Sequence, residues 1–567
     1  MTQDNNMESP TSSGRSREPF PRERNLQMFP VLDRNEIERI AVHGKTRRVR
    51  GGEILVEQGE ETMRFFVVLT GRLEVLQTNG DGERLIATHD PGEFFGDVHL
   101  LSGRPSIVRA RMAGDGEVLE LSREALQALV QTDSALSEIL MRAFILRRLE
   151  LTRGGKGDAA LIGSSYSAET LRVREFLTRN GYPHEYVDVE RDPGAQQLLD
   201  RFNVAPADLP VLICRGRSVL RSPTNRQIAE CLGLNEGIDE SQVRDVLIIG
   251  AGPAGLAAAV YAASEGLKAL VVETKAPGGQ AASSSKIENY LGFPTGVSGA
   301  ELAGSAFSQA QKFGAELIVA RSVKRLSCDL KPYALELEDG SRLLARTIII
   351  ATGAEYRKPE LENLAAYEGR GIFYGATFIE SQICGTNEVA VVGGGNSAGQ
   401  AAVYLSQTAR HVHMLVRSEL KDTMSRYLIR RIENSPNITL HLQTEIVALE
   451  GTECLERIRW RNKQTGEEET HDIRYLFLMT GASPNTSWLR GCLALDEKGF
   501  ILTGAELDSE TLARARWPLK RPPHLLETSL PGVFAVGDVR AGNVKRVASA
   551  VGEGSISVHL VHKALQE

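Results

Sequence analysis

The chain has 567 residues, 42% hydrophobic and 25% charged, the composition of an ordinary globular protein. Single cores rarely grow past about 250–300 residues, so three to four domains are expected. The 66 basic and 73 acidic residues sum to −7, which argues against a general nucleic-acid binder. No run approaches the ~18–20 apolar residues of a membrane span. The first 26 residues are polar, carry Pro10, Pro19 and Pro21, and lack the apolar stretch of a secretory signal. A cytoplasmic protein with no membrane partner is expected, with a disordered leader over residues 1–27.

The six cysteines are Cys214, Cys231, Cys328, Cys384, Cys454 and Cys492, no two closer than 17 residues. This spacing excludes any C-x-x-C pair and any finger-type zinc site, and no metal is expected. So few cysteines in so long a chain read as six separate thiols, not as a disulfide framework.

Residues 28–150 open with short alternating runs broken by glycine, among them Phe65 to Val75, the pattern of a β-roll. A helix follows, with Leu136, Ile139, Leu140, Ala143 and Leu146 at three- and four-residue steps. Residues 154–157 read as a linker. In 159–235 strands at 159–163, 185–189 and 211–214 alternate with helices at 168–180, 194–202 and 225–232, which predicts an α/β layer. An acidic stretch at 235–240 reads as a second linker.

From Arg244 onward, a strand, a glycine loop and a helix occur twice, 143 residues apart. The first loop is Gly250-Ala251-Gly252-Pro253-Ala254-Gly255, after the apolar Val246–Ile249. The first glycine makes the turn, the second admits a pyrophosphate to the backbone and the third lets helix pack on strand. The helix N-terminus then faces the phosphates. Glu273, 23 residues after Gly250, ends the next strand as an acceptor for ribose hydroxyls. The second loop is Gly393-Gly394-Gly395-Asn396-Ser397-Ala398, and its following strand ends at Arg417, a cation suited to a 2′-phosphate. The first site is expected to take a dinucleotide with free ribose hydroxyls and the second NADP.

These loops, with Gly278-Gly279-Gln280, Ile287-Glu288-Asn289, Ala351-Thr352-Gly353, Thr480-Gly481 and Gly537-Asp538, make residues 244–567 resemble a low-molecular-weight thioredoxin reductase. The resemblance implies an FAD domain over 244–366 and 488–567, with an inserted NADPH domain over 367–487 and a homodimer. Gly250, Gly252, Pro253, Ala254, Gly255, Glu273, Gly279, Gln280, Asn289, Ala351, Thr352, Gly353, Gly537, Asp538, Lys545, Arg546 and Val547 would then hold FAD. Gly393, Gly395, Asn396, Ser397, Ala398 and Arg417 would hold NADPH, preferred over NADH. The cofactors carry the chemistry, hydride passing from nicotinamide C4 to flavin N5. Crossings near 363–370 and 484–490 are the expected hinges.

The chain departs from that family where its redox cysteines belong: Gly375 and Phe378 stand there, and Cys384 is alone. Residues 159–235 resemble a glutaredoxin or thioredoxin domain, with Ser167 and Thr170 at the usual cysteine positions and Leu209-Pro210 at the family's cis-proline. Residues 28–150 resemble a cyclic-nucleotide-binding domain through Gly71, Phe94-Phe95-Gly96-Asp97 and the run from Leu100 to Ser106. Gly96, Asp97, Arg104 and Ser106 are the candidate nucleotide contacts. The fold class is therefore multidomain: a β-roll with helices, an α/β thioredoxin-like domain and a flavoprotein reductase with two dinucleotide-binding domains. The expected function is NADPH oxidation through FAD to an unidentified acceptor such as a small redox protein, with a cyclic nucleotide as candidate regulator. The alternatives are a thioredoxin-disulfide reductase using an external thiol, and a redox or nucleotide sensor with little turnover.

Overall fold

The computed structural model describes residues 26–567 apart from 62–63, 80–81, 154–156, 193, 203, 216–217, 329–330 and 490. The expected leader up to residue 25, and 154–156 of the expected first linker, lie outside the described residues.

Alternation in the N-terminal strands builds two antiparallel four-stranded sheets. One orders Lys45–Val49, Gly116–Leu121, Phe65–Thr70 and Phe94–Phe95; the other Ile54–Val56, Arg109–Met112, Leu73–Asn79 and Gly82–His89. Successive side chains of one strand face opposite ways. Phe66 and Val68 thus enter the space between the sheets with Leu73, Val75 and Met112. Phe65 and Val67 pack outward on Leu136, Leu140 and Phe144 of the helix Ser134–Arg153. The next domain has one sheet, ordered His184–Asp188, Ala159–Gly163, Val211–Cys214 and Ser218–Arg221. Its first pair is parallel and the others antiparallel. The helices Ala168–Arg179, Ala195–Arg201 and Asn225–Leu232 accompany it, and the Leu209–Pro210 peptide is cis.

The third sheet orders Glu316–Ile318, Ala269–Val272, Val243–Ile249, Arg342–Ile350, Tyr333–Leu337 and Val323–Ser327, with Val533–Ala535 added beside Arg342–Ile350. Its central strands are apolar on both sides because both faces are covered. Ile248 and Ile349 pack on the helix side, while Leu247 and Ile350 pack on the opposite face. The fourth domain has a parallel sheet of Ile372–Phe373, Tyr475–Leu478, Glu388–Val392, His411–Leu415 and Ile438–His441. A meander of Thr444–Glu450, Arg457–Asn462 and Glu468–His471 accompanies it. The third and fourth domains are joined by a ribbon of Ala354–Tyr356 against Ala482–Pro484, so the outgoing crossing begins earlier than the expected 363–370.

Two sequence expectations need correction. The 235–240 stretch is pinned to its neighbours: Asn235 exchanges hydrogen bonds with the backbone of Val319 at 2.9 and 2.8 Å. Glu236 pairs with Arg123 and Glu240 accepts from the Arg342 N–H at 3.2 Å. The cysteines are also not six separate thiols, because Cys328 and Cys492 form a disulfide, with Cα atoms 6.0 Å apart. Cys214, Cys231, Cys384 and Cys454 are free. No described helix is long and apolar enough to cross a membrane, and no group of three or more metal-ligating side chains converges among the described residues.

Candidate functional site

The first glycine loop lies at the carboxyl ends of the third sheet's parallel strands. Gly250 has φ +102°, and a Cβ there would run into the Ala351 carbonyl. A Cβ on Gly255 would meet the Gly250 carbonyl. Gly252 caps the helix Pro253–Ser264 with no side chain on its first N–H groups, leaving them for an anion. One oxygen of Glu273 accepts from the Ala251 N–H at 2.7 Å and the other from Lys275 N–H at 2.8 Å. This fixes the carboxylate at the rim, with lone pairs left over for ribose hydroxyls.

Opposite, Ala351-Thr352-Gly353 continues from Arg342–Ile350 and is held by a residue that sequence reasoning missed. Asn485 donates its side-chain amide to Thr352 O at 3.0 Å and its backbone N–H to Gly353 O at 3.1 Å, while Thr352 Oγ1 donates to Asn485 O at 3.0 Å. Gln280 donates to the Ala354 carbonyl. Asp538 accepts from Asn543 at 3.2 Å. Beside it, the Gly537 N–H and Arg540 both donate to Glu553 at 2.7 Å. Glu553 and Asn543 also escaped the sequence, since neither belongs to a spaced motif. Lys545 and Arg546 are exposed, and Val547 starts the helix Val547–Gln566, whose first turn has no side-chain cap. Asn289 is exposed on the neighbouring loop. These groups suit FAD: the bare helix terminus would take the pyrophosphate and Glu273 the ribose, with Asp538 and the uncapped start of the second helix as further candidate contacts.

The second loop repeats the design. Gly393 has φ +146°, and Gly395 caps Asn396–Leu405 without a side-chain bond. Asn396 Oδ1 accepts from the Ser425 N–H at 2.7 Å, and Thr423 donates to Gly394 O at 2.7 Å. Ala398 is fully buried beneath the loop. Arg417 stands exposed just past His411–Leu415, with no carboxylate paired to it among the described residues. Tyr356 is half-buried in the neighbourhood of Ser397 and Asp538, and burial raises the pKa of its hydroxyl.

Gly375 lies against Ser283 of the third domain, and Phe378, 65% exposed, begins the helix Phe378–Cys384. Cys384 is wholly buried, and that burial pushes its thiol pKa up. Ser167 caps the helix Ala168–Arg179 and Thr170 is buried in its first turn. In the β-roll, Gly96 has φ +148°. Asp97 is half-buried next to Arg148 and accepts from the His99 N–H at 2.8 Å. Ser106 donates to Val108 O at 2.7 Å. Arg104 turns away toward the neighbouring domains, donating to Asn180 O at 3.2 Å and lying 5.5 Å from the Phe307 ring.

Residues 244–554 match the pyridine nucleotide-disulphide oxidoreductase family, and residues 46–133 match the cyclic nucleotide-binding domain. The chain is 34% identical over 359 residues to NADPH-dependent thioredoxin reductase 3 of Arabidopsis thaliana, which spans 60% of this chain and 64% of that one. It is 34% identical to the thioredoxin reductase of Streptomyces coelicolor, over 55% of this chain and 91% of that one. Among solved structures it superposes on T. acidophilum thioredoxin reductase with TM-score 0.51 and 28% identity, covering 57% of this chain and 99% of the other. Lactococcus lactis thioredoxin reductase in the FR conformation gives TM-score 0.50 at the same identity and coverage. With more than half its length matched, the chain belongs to the pyridine nucleotide-disulphide oxidoreductase family, as a thioredoxin-reductase-like, FAD-dependent NADPH oxidoreductase that also carries a cyclic-nucleotide-binding fold.

Proposed function

We propose that this enzyme delivers electrons from NADPH to an acceptor that meets the flavin itself, in our reading a small redox protein, with no thiol relay in the chain. FAD, once bound, would supply the redox chemistry between NADPH and the acceptor. The chain's residues hold and align the two cofactors. Glu273 and the first loop would hold one, and Arg417 and the second loop the other.

The observation that carries this reading is Cys384. It is the one cysteine near the position of the absent redox pair, and it is buried and held protonated, so it is neither an accessible nucleophile nor half of a disulfide. The 159–235 domain, thioredoxin-like in our reading, supports the same conclusion. It carries Ser167 and Thr170 where thiols would act, and its helix Ala168–Arg179 packs Leu171 against the apolar core of the NADPH domain. The direction of Arg104 favours a protein-contact role for the β-roll over nucleotide binding, and a homodimer belongs to the same reading.

The test is steady-state NADPH oxidation by the FAD-loaded protein with flavodoxin- or ferredoxin-type acceptors and, separately, with oxidised thioredoxin. Turnover with the one-electron proteins and none with thioredoxin is expected. Thioredoxin reduction at comparable rates would sink the proposal in favour of a disulfide reductase, and no turnover with any acceptor would leave a sensor.

A further inference from the structure

The Cys328–Cys492 pair has no part in either cofactor cleft. Cys328 follows Val323–Ser327, the edge strand of the flavin-domain sheet. Cys492 follows the short turn Ser487–Leu489, on the segment by which the chain returns from the NADPH domain. The two are 164 residues apart in sequence with Cα atoms at 6.0 Å, inside the range of roughly 4.4–6.8 Å that a disulfide spans. Both are partly exposed and pack beside Leu326, Leu489 and Leu493.

The return segment is the one that holds the flavin loop. Asn485 makes its three bonds to Thr352 and Gly353 directly after the ribbon strand Ala482–Pro484. Three hydrogen bonds hold the described residues of this stretch together. Trp488 Nε1 donates to Asn485 O at 3.1 Å, Leu489 N–H to Thr486 O at 2.9 Å and Cys492 N–H to Leu489 O at 3.0 Å. A covalent bond at Cys492 therefore anchors the whole segment to the far edge of the flavin-domain sheet.

We propose that Cys328–Cys492 is a redox-sensitive staple. As a disulfide it fastens the return segment and steadies the Thr352–Asn485 contact; reduction by a dithiol protein of the thioredoxin class, or by dithiothreitol, frees the segment and loosens the flavin seat. In the exchange one thiolate of the reductant attacks a sulfur of the pair and forms a mixed disulfide. Its second thiolate then breaks that bond. The reductant leaves as a disulfide, and Cys328 and Cys492 become two thiols after gaining two electrons and two protons.

The enzyme's own flavin is not the electron source. Ser327 pairs with Ala334 and Ala334 with Leu344, six residues short of Ile350 at the cleft end of Arg342–Ile350. At about 3.3 Å per residue that sets Ser327, the residue before Cys328, some 20 Å back from the cleft end along the strand direction.

The test uses the full-length, FAD-loaded protein, oxidised with diamide, denatured with an alkylating agent and digested for mass spectrometry. Labelling of Cys214, Cys231, Cys384 and Cys454, with Cys328 and Cys492 joined in one cross-linked peptide, is expected. Six labelled cysteines overturn the proposal. Melting temperature and FAD release are then compared with and without dithiothreitol in wild type, Cys328→Ser and Cys492→Ser. In wild type, reduction should lower the Tm by about 5 °C or more and speed FAD release several-fold. Each variant should behave as the reduced protein under both conditions. A cross-link whose reduction changes neither quantity, or a wild-type response that the serine variants share, overturns the switch. Anaerobic NADPH alone should leave the cross-link intact; its loss would overturn the assignment of an external reductant. The thiol count and the melting shift do not depend on which acceptor the enzyme uses.

Discussion

Arg179, at the end of the helix Ala168–Arg179, donates to the carbonyl of Gly279 at 2.8 Å, tying a front domain to the loop that carries Gln280. At the other end of the helix Ala168 closes on Gly369 so tightly that a side chain on the glycine has no room. One helix thus touches both nucleotide-binding domains, with Leu171 seated on the second. Leu171→Asp should put a charge against that apolar seat and weaken the docking by about 2–3 kcal/mol. Calorimetry should then resolve a separate, earlier transition for the front domain. A single transition at the wild-type temperature would count against the clamp.

Arg417 is the one cation at the end of its strand in the second site, and its guanidinium is unpaired among the described residues. Arg417→Ser should raise the KM for NADPH about tenfold or more while leaving kcat and the NADH parameters near their starting values, the pattern of lost uniform binding. Equal effects on the two nucleotides would place the 2′-phosphate elsewhere.

Asp538 follows Gly537, which lies against Ala254 of the first loop, and is held by Asn543. Asp538→Ala should yield protein that folds but leaves purification with much less than one flavin per chain, read from the absorbance near 450 nm against protein concentration. Full occupancy would remove Asp538 from the cofactor's contacts.

Four histidines line the space between the NADPH-domain sheet and its meander. His413 Nδ1 lies 3.1 Å from His441 Nε2, and its other nitrogen faces Glu388 at 3.5 Å. The His411 and His471 rings lie within 6 Å. Burial, and then the neighbouring His411 and His441, push the His413 pKa down to about 4 from 6.5. A histidine depressed by folding binds fewer protons in the native state, so its stabilising contribution is complete above pH 6.5 and lost as the pH falls toward 4. The loss should be on the order of 2 kcal/mol after allowing for partial solvent screening. Wild type should therefore lose more Tm than His413→Gln between pH 7 and pH 4.5; parallel curves would assign the acid sensitivity to other groups.

The β-roll should not respond to 3′,5′-cyclic AMP or GMP. With Arg104 engaged by Asn180 and Phe307, millimolar nucleotide should leave the Tm within about 1 °C, whereas binding well below that concentration would raise it by mass action. A clear stabilisation would restore the nucleotide-sensor reading.

What sequence reasoning could find here was chemistry written in short spacing. Gly250, Gly252 and Gly255 announce themselves because backbone approach, positive φ and helix packing each demand glycine at a fixed offset, and Glu273 follows from the strand that those glycines predict. Features set by tertiary approach stayed hidden. Nothing local ties Cys328 to Cys492 across 164 residues. Arg104 sits in a suitable run, but the packing of a separate domain decides where its side chain points. Asn485 bonds to the backbone of Thr352 and Gly353, a job with no pattern, although it lies only four residues past Gly481, part of a pair that carried a signal. The acidic 235–240 stretch looked like solvent-facing chain, and its contacts with Val319, Arg123 and Arg342 come from surfaces far along the sequence.

The ribbon between Ala354–Tyr356 and Ala482–Pro484 places the departure and return of the NADPH domain side by side, with Tyr356 directly opposite Ala482. Facing residues in an antiparallel pair are only about 4.5–5.5 Å apart. A two-residue turn could therefore close the gap and leave the flavin-domain sheet with all its strands. The pyridine-nucleotide half is in this sense a cartridge: it could be excised, or exchanged for one that reads a different donor, through a single doorway and without re-threading the fold that holds the flavin.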